Sequence, residues 1–119
     1  MNNNSLLIDS IESTLSRLNI NPQIKYSLEK KGLKKLYDWQ RECLFNTGVV
    51  NSKNLLYCAP TSGGKSLVAD LIVLKKVTDS SIPFSKVLVV LPFISLVSEK
   101  NNQFKTLLRG NLTYNHIKI

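Results

Sequence analysis

The stretch Asn54–Lys76, NLLYCAPTSGGKSLVADLIVLKK, decides the fold because its hydrophobic pattern changes partway along. The apolar run NLLYC (54–58) is too short for a helix and is typical of a buried strand in a parallel sheet. From Lys65 onward, apolar residues recur every three or four positions, a spacing that predicts a helix. The turn APTSGGKS (59–66) is therefore expected to lead from a strand into a helix N-terminus.

This turn has the composition of an anion-binding loop. A helix N-terminus supplies unpaired backbone N–H groups and the positive end of the helix dipole, and both attract phosphate. Gly63 and Gly64 permit a tight turn whose N–H groups point inward. Lys65 is placed to reach the β- and γ-phosphates, and the Ser66 hydroxyl to bind Mg²⁺. We interpret the turn as a nucleotide-phosphate site, although it begins with Ala59 where the common pattern has glycine.

The remaining sequence alternates between helical and strand-like patterns. Hydrophobic periodicity and helix-capping residues predict helices over 5–18, 21–32, 37–46, 65–77 and 94–108, and strands over 54–58, 86–91 and, weakly, 112–119. The order strand, helix, strand, helix after residue 53 predicts an α/β fold, in which a parallel sheet is flanked by helices. Short N-terminal helices are expected to precede it.

Composition and charge are those of a basic globular protein. Sixteen lysines and arginines against eight acidic residues give a net charge of +8, which favours polyanionic partners such as nucleic acid. The dense run at 30–35 fits either a solvated helix end or a phosphate contact. Neither a membrane span nor a secretory signal is indicated, so we expect an intracellular protein without a membrane partner. Cys43 and Cys58 are expected to be reduced and buried, because no patterned ligand accompanies them.

Three segments resemble motifs of the superfamily-two DNA helicases of the DEAD/DEAH-box type. APTSGGKS resembles their motif I, and LYDWQREC (36–43) resembles their Q motif, with Gln40 as the glutamine. VLPFISLVSEK (90–100) is similar to motif Ia. The resemblance runs from about residue 33 to residue 100, with the three motifs in the expected order.

The resemblance implies a P-loop NTPase fold with a RecA-like parallel sheet, here an incomplete first lobe. Residues 1–32 would be an N-terminal helical segment and residues 33–119 the truncated front part of the ATP-binding domain. ATP and Mg²⁺ are the implied ligands. Nucleic acid is the implied partner, with single-stranded DNA favoured, and the nucleus is the implied location.

The resemblance also implies a set of site residues. Gln40 would read the adenine edge, Lys65 and Ser66 would act in catalysis, and Ser66 would also bind Mg²⁺. Trp39 is interpreted as a packing residue rather than a base-stacking one. The implied nucleotide-binding residues are Gln40, Ala59, Pro60, Thr61, Ser62, Gly63, Gly64, Lys65 and Ser66, and the implied nucleic-acid contacts are Pro92, Phe93, Ser95 and Lys100.

Parts that hydrolysis requires have no counterpart in this sequence. Phosphoryl transfer needs an acid that holds Mg²⁺, a group that positions water and an arginine that neutralises charge. After Lys65 the acids are Asp70, Asp79 and Glu99, and no Asp–Glu pair occurs in the chain. We therefore expect the ATP-binding front part of a helicase, inactive alone and lacking the C-terminal helicase part.

Two alternatives remain open at the level of sequence. The first is a non-catalytic truncated lobe that binds nucleotide or nucleic acid, which the missing acid and the positive charge favour. The second is a small P-loop kinase, against which Ala59 and Gln40 both count.

Overall fold

The computed structural model describes residues 10–20, 22–59, 64–79, 81 and 86–109. The regular secondary structure of these residues is helical. In chain order these elements are α1 (Ile11–Arg17), α2 (Gln23–Lys30), α3 (Asp38–Phe45), a 3-10 turn (Val49–Asn51), α4 (Lys65–Thr78) and α5 (Ile94–Arg109). Each α-helix lies within or close to a region whose periodicity predicts one. The helix predictions are therefore confirmed for the described residues.

Local sequence signals explain where the first three helices begin and end. The side-chain oxygen of Ser10 caps α1 by accepting the backbone N–H of Ser13 at 3.1 Å. Pro22 precedes α2 with a φ of −58°, which suits entry into a helix. The chain leaves α2 through Gly32, whose φ of +84° favours glycine. α3 begins at Asp38, where an acidic side chain complements the positive end of the helix dipole.

One hydrophobic core joins the N-terminal helices to α4 and α5. Within the described residues, α2 packs on α1 and on α5, and α3 packs on α4. Burying each large aliphatic side chain stabilises the fold by about 1.5–3 kcal/mol, so this cluster holds the helices together. The buried members are Ile11, Leu15, Leu18, Ile20, Ile24, Leu28, Leu36, Leu44, Val68, Leu71, Leu74, Phe104, Leu107 and Leu108.

The predicted α/β fold with a RecA-like parallel sheet is wrong for the described residues. Residues 54–58 and 86–91 belong to no strand, and the β pairing found among the described residues is an isolated antiparallel bridge between Ser10 and Lys35. A helix satisfies its backbone with its own hydrogen bonds, whereas a strand needs a neighbouring segment to supply N–H and C=O groups. A β-branched run favours strand geometry locally but does not provide that neighbour. The predicted third strand, at 112–119, lies outside the described residues.

The two strand-like runs also differ from prediction in their burial. Leu88 and Val90 are 87% and 81% exposed, and Leu56 is 98% exposed, although all three were expected inside a sheet. Leu55 and Tyr57 instead pack against the helical core. Residues 54–58 therefore have one side on the core and one side in solvent, while 86–90 are exposed throughout.

A largely buried ion pair links α4 to α5. The Nζ atom of Lys100 lies 3.0 Å and 3.1 Å from the two carboxylate oxygens of Asp70, which is 7% exposed. Gln103, one turn further along α5, donates its Nε2 to Asp70 Oδ2 at 3.1 Å and accepts from Lys100 at Oε1, also at 3.1 Å. Both oxygens of the buried carboxylate are thus hydrogen-bonded.

Replacing Lys100 with methionine is expected to lower the free energy of unfolding by about 2–4 kcal/mol, because it leaves the Asp70 carboxylate buried without its counter-ion. Urea denaturation followed by circular dichroism measures the change. The double variant Asp70→Leu, Lys100→Met is expected to lose less, since no charge is left buried. Lys105→Met, which makes the same change elsewhere on α5, is the control. Equal losses for Lys100→Met and Lys105→Met would contradict the role of the ion pair.

Candidate nucleotide-binding site

Two side chains from earlier in the chain bind consecutive backbone carbonyls at the start of α4. Gln40 donates its Nε2 to the carbonyl oxygen of Gly64 at 2.9 Å. Tyr57 donates its hydroxyl to the carbonyl oxygen of Lys65 at 2.5 Å. The first turn of α4 is therefore held by a side chain from α3 and by a side chain from the segment that precedes the loop.

Gln40 connects the start of α3 with the start of α4. Its side chain is 1% exposed, and its Oε1 accepts the backbone N–H of Tyr37 at 2.8 Å. A buried amide that lacked these partners would cost about 1–3 kcal/mol, so each bond helps to fix the position of a helix end. The two bonds use one of the two N–H groups of the amide and one of the two lone pairs of its oxygen.

Gly64 permits the close approach of Gln40. Its φ is +77°, a conformation that costs other L-residues roughly 1–2 kcal/mol. A Cβ atom at Gly64 would lie 2.7 Å from Gln40 Nε2, closer than a non-bonded contact allows. Glycine is thus required here both by the backbone angle and by the glutamine that packs against it.

Tyr57 is supported by an aromatic neighbour on α3. The ring centroids of Tyr57 and Trp39 are 6.1 Å apart, with the planes tilted by 36°. Trp39 is half-buried and packs against the core, as expected of a packing residue. Burial is the main cause that raises the pKa of Tyr57, and the neighbouring Cys43 and Asp70 raise it further. The hydroxyl therefore remains protonated, and able to donate, throughout the neutral range.

Four described members of the predicted nucleotide-binding set, Gln40, Gly64, Lys65 and Ser66, lie together at the start of α4, whereas Ala59 lines a cleft beside α3. Lys65 is the first residue of this helix and is half-buried, and Ser66 beside it is exposed. The first N–H groups of an α-helix have no partner within the helix, so this end of α4 can offer donors to an anion. The predicted loop residues Pro60, Thr61, Ser62 and Gly63 lie outside the described residues.

The predicted nucleic-acid contacts fall into two groups. Pro92, Phe93 and Ser95 are exposed around the first turn of α5, with Phe93 66% exposed. Lys100 differs, because its ammonium is bound to the Asp70 carboxylate in the interface between two helices. Its contact with nucleic acid stays a prediction, and such a contact would compete with the ion pair.

An open cleft of about 330 Å³ lies beside α3. Cys58 on its wall is exposed, so the prediction of a buried thiol is wrong there, whereas Cys43 is half-buried; both are free thiols. Within the described ranges, no three His, Cys, Asp or Glu side chains are grouped so as to hold a metal ion. The cleft is lined by Trp39, Glu42, Cys43, Thr47, Leu55, Leu56, Cys58 and Ala59.

Among the residues that the structure describes, no helix has the length and apolarity that would carry it through a lipid bilayer.

Sequence reasoning did not single out Tyr57 or the partners of Asp70. Tyr57 is the polar residue at the end of an aliphatic run, and a buried tyrosine hydroxyl usually requires a hydrogen-bond partner. Asp70 lies between Val68 and Leu71 on an apolar helix, which is a similar signal. The pattern shows that such groups need partners but does not identify them.

With this geometry established, comparison with known proteins defines the class. Residues 37–118 match the DEAD/DEAH box helicase family, so the chain belongs to that family. This confirms the resemblance to superfamily-two helicases read from the three motifs.

Particular relatives are similar over most of this chain. DNA polymerase theta of Mus musculus is 45% identical over 76 residues, covering 64% of this chain and 3% of the relative. A Drosophila melanogaster protein named Helicase POLQ-like is 45% identical over 76 residues, covering 64% and 7%. ATP-dependent DNA helicase Hel308 of Pyrococcus abyssi is 33% identical over 91 residues, covering 76% and 12%. The chain thus spans between 3% and 12% of the length of these relatives.

Replacing Gly64 with alanine is expected to destabilise the fold more than replacing Gly32. Both glycines have positive φ, but an added Cβ meets no atom within 4 Å at Gly32 and meets the Gln40 amide at Gly64. The backbone cost is shared, so the difference reports the displaced Gln40 hydrogen bond, about 1–3 kcal/mol. Urea unfolding of the two variants measures it. Equal losses would show that the Gln40–Gly64 contact contributes nothing to stability.

Raising the pH is expected to ionise Tyr57 only above the ordinary tyrosine pKa. The folded chain holds the Tyr57 proton more tightly than the unfolded chain does. The free energy of unfolding is therefore unaffected by this group below about pH 10, the ordinary tyrosine pKa, and falls as the pH rises above it. Tyrosinate absorbance follows the four tyrosines. Tyr57→Phe is expected to remove a tyrosinate transition whose midpoint lies above the ordinary tyrosine pKa; loss of a transition at the ordinary pKa instead would contradict the described burial.

Proposed function

We propose that this chain is the ATP-binding front part of an ATP-dependent DNA helicase, with residues 59–66 holding the nucleotide phosphates. The observation that carries the proposal is the hydrogen bond between Gln40 and Gly64, which are 24 residues apart in sequence. It brings the Q-motif-like segment to the loop that resembles motif I. A nucleotide at the start of α4 would meet both segments at once.

The residues at the start of α4 fit a chain of phosphates. Gly64 has no side chain to cover the N–H groups of the first turn, which are available to phosphate oxygens. The Lys65 ammonium neutralises the β- and γ-phosphates, and the Ser66 hydroxyl contributes one ligand to Mg²⁺. When bound, Mg²⁺ would neutralise part of the phosphate charge.

Gln40 is the residue that we assign to adenine recognition. A glutamine amide can bind the N6 and N7 edge of adenine with one donor and one acceptor. The hydrogen bonds to Tyr37 and Gly64 use one N–H and one lone pair of this amide. Because Gln40 is 1% exposed, the other N–H and lone pair would have to become accessible when the nucleotide binds. The same side chain would then contact the base and fix the start of the helix that carries Lys65.

Hydrolysis requires an acid that holds Mg²⁺, and the acids that follow Lys65 are engaged or exposed in the part of the chain that the structure describes. Asp70 is held by Lys100, and Asp79 accepts hydrogen bonds from Ser81. Glu99 is exposed on α5. We assign the acidic motif, the arginine and the second lobe to helicase parts beyond this sequence. In this assignment residues 1–32 are an N-terminal helical segment and residues 33–119 are part of the ATP-binding domain.

Nucleic acid is the partner that we assign to the start of α5. Pro92, Phe93 and Ser95 are exposed there, and the net charge of +8 attracts a polyanion to the protein. We assign DNA because similar proteins are named DNA helicase and DNA polymerase; a preference for single strands rests on the motif resemblance alone. Nuclear DNA is the corresponding target within the cell. Lys100 would join this contact by exchanging the Asp70 carboxylate for a phosphate.

A non-catalytic lobe that binds nucleotide or nucleic acid is the second candidate. It is favoured by the ion pair between Asp70 and Lys100, because this pair occupies the single acidic residue of α4. A kinase is disfavoured by membership of the DEAD/DEAH box helicase family.

Replacing Lys65 with alanine is expected to weaken binding of ATP with Mg²⁺ about ten- to a hundredfold, since a charge-assisted hydrogen bond contributes roughly 1.5–3 kcal/mol. Trp39, the single tryptophan of the sequence, lies next to Gln40, so its emission reports binding directly. Lys86→Ala removes the same charge from an exposed position and is expected to bind like the original chain.

The same samples test whether this chain hydrolyses the nucleotide that it binds. Nucleotide binding without release of inorganic phosphate, with or without single-stranded DNA, is the expected result for the front part of a helicase. Substantial DNA-stimulated hydrolysis by the purified chain would contradict our assignment of the catalytic acid to another part. Equal affinity of Lys65→Ala and Lys86→Ala for ATP would contradict the phosphate site itself.

A further inference from the structure

Tyr57 contacts the start of α4, yet it is not among the site residues that the sequence predicts. It precedes the predicted phosphate loop (59–66), and its hydroxyl is bound to the carbonyl of Lys65, near the end of that loop. The bond therefore joins the residues on either side of most of the loop. Tyr57 belongs to no helix, so its hydroxyl is held in place by side-chain packing rather than by its own secondary structure.

Trp39 provides that packing. Its ring lies 6.1 Å from the ring of Tyr57, and both rings pack on the hydrophobic core. Trp39 is adjacent on α3 to Gln40, which binds the carbonyl of Gly64. One turn of α3 thus supports both carbonyl contacts, directly through the amide of Gln40 and indirectly through the phenol of Tyr57.

The two contacts act on the residues that would present donors to phosphate. Fixing the carbonyls of Gly64 and Lys65 fixes the peptide planes on which the N–H groups of Lys65 and Ser66 lie, since each plane is rigid. It also fixes the Cα of Lys65, from which the ammonium extends. A donor that is already in position when the ligand arrives avoids the entropy cost of ordering it on binding.

From these contacts we infer that Tyr57, supported by Trp39, is a positioning residue for the phosphate-binding turn. The inference rests on the proposed nucleotide site and assigns a further residue to it. Tyr57 acts through the backbone of Lys65 and touches no ligand. Its effect is therefore specific for the phosphate end of the ligand and grows with the number of phosphates.

The variant Tyr57→Phe removes the hydroxyl and keeps the ring beside Trp39. We expect it to weaken binding of ATP about three- to tenfold, as the loss of one net hydrogen bond predicts, to weaken binding of ADP less, and to leave binding of adenosine unchanged. Displacement of a fluorescent ATP analogue by ATP, ADP and adenosine measures all three affinities on the full chain. Tyr26→Phe, which removes a hydroxyl from a residue 64% exposed, is the matched control and is expected to change none of them.

A second variant keeps the test decisive if Tyr57→Phe does not fold. Trp39→Phe leaves the Tyr57 hydroxyl in place but reduces the surface that supports its ring. It is expected to give the same dependence on phosphate number, with a smaller loss for ATP. Circular dichroism establishes that each variant is folded before its affinities are compared.

The outcomes separate this inference from the proposed function. If the original chain binds ATP and Lys65→Ala weakens it, but Tyr57→Phe binds all three ligands like the original, the positioning role is overturned while the site stands. Equal losses for ATP and adenosine would overturn it as well, because they indicate a general structural defect. If the original chain does not bind ATP, the proposed function fails first and the positioning role fails with it.

Discussion

A buried glutamine amide that must find hydrogen-bond partners is the constraint on which the arrangement of this chain depends. Gln40 is 1% exposed, and it meets its requirements at the N–H of Tyr37 and the carbonyl of Gly64. These atoms mark the beginnings of α3 and α4. The distance between the two helices is thus set by the length of one side chain, and a glycine at position 64 is required so that this side chain can fit.

Helices could be predicted from sequence because their requirements are local. Spacing of apolar residues, the cap at Ser10 and the stop at Gly32 are all contained within a few neighbouring positions. The sheet could not be predicted reliably, since pairing depends on segments distant in sequence, and residues 54–58 and 86–91 carry the composition of strands without forming them. High β-propensity is therefore not sufficient evidence that a segment pairs in a sheet.

The candidate site shows the same division between local and non-local information. Gln40 and the glycine-lysine-serine end of the loop were identified from motif and spacing, and the comparisons confirm the family to which those motifs belong. The phenol of Tyr57 and the carboxylate of Asp70 were not assigned partners, because these contacts join residues from different elements. Sequence identifies groups that need a partner, whereas the fold determines which partner is near. Lys100 illustrates the difference, since the resemblance to motif Ia implied a nucleic-acid contact and the fold gives it a carboxylate.

The exposed run Val87–Val90 has a consequence for the colloidal behaviour of the protein. A short apolar segment of high β-propensity without proline is the kind that assembles between molecules. The net charge of +8 opposes this by keeping molecules apart, and dissolved salt screens that repulsion over about 10 Å at 0.1 M. Solubility should therefore fall under the high-salt conditions that are used to strip nucleic acid from a basic protein. Low ionic strength is therefore the better condition for purification and storage. The reason is the exposure of these four hydrophobic residues and not the chemistry of the nucleotide site.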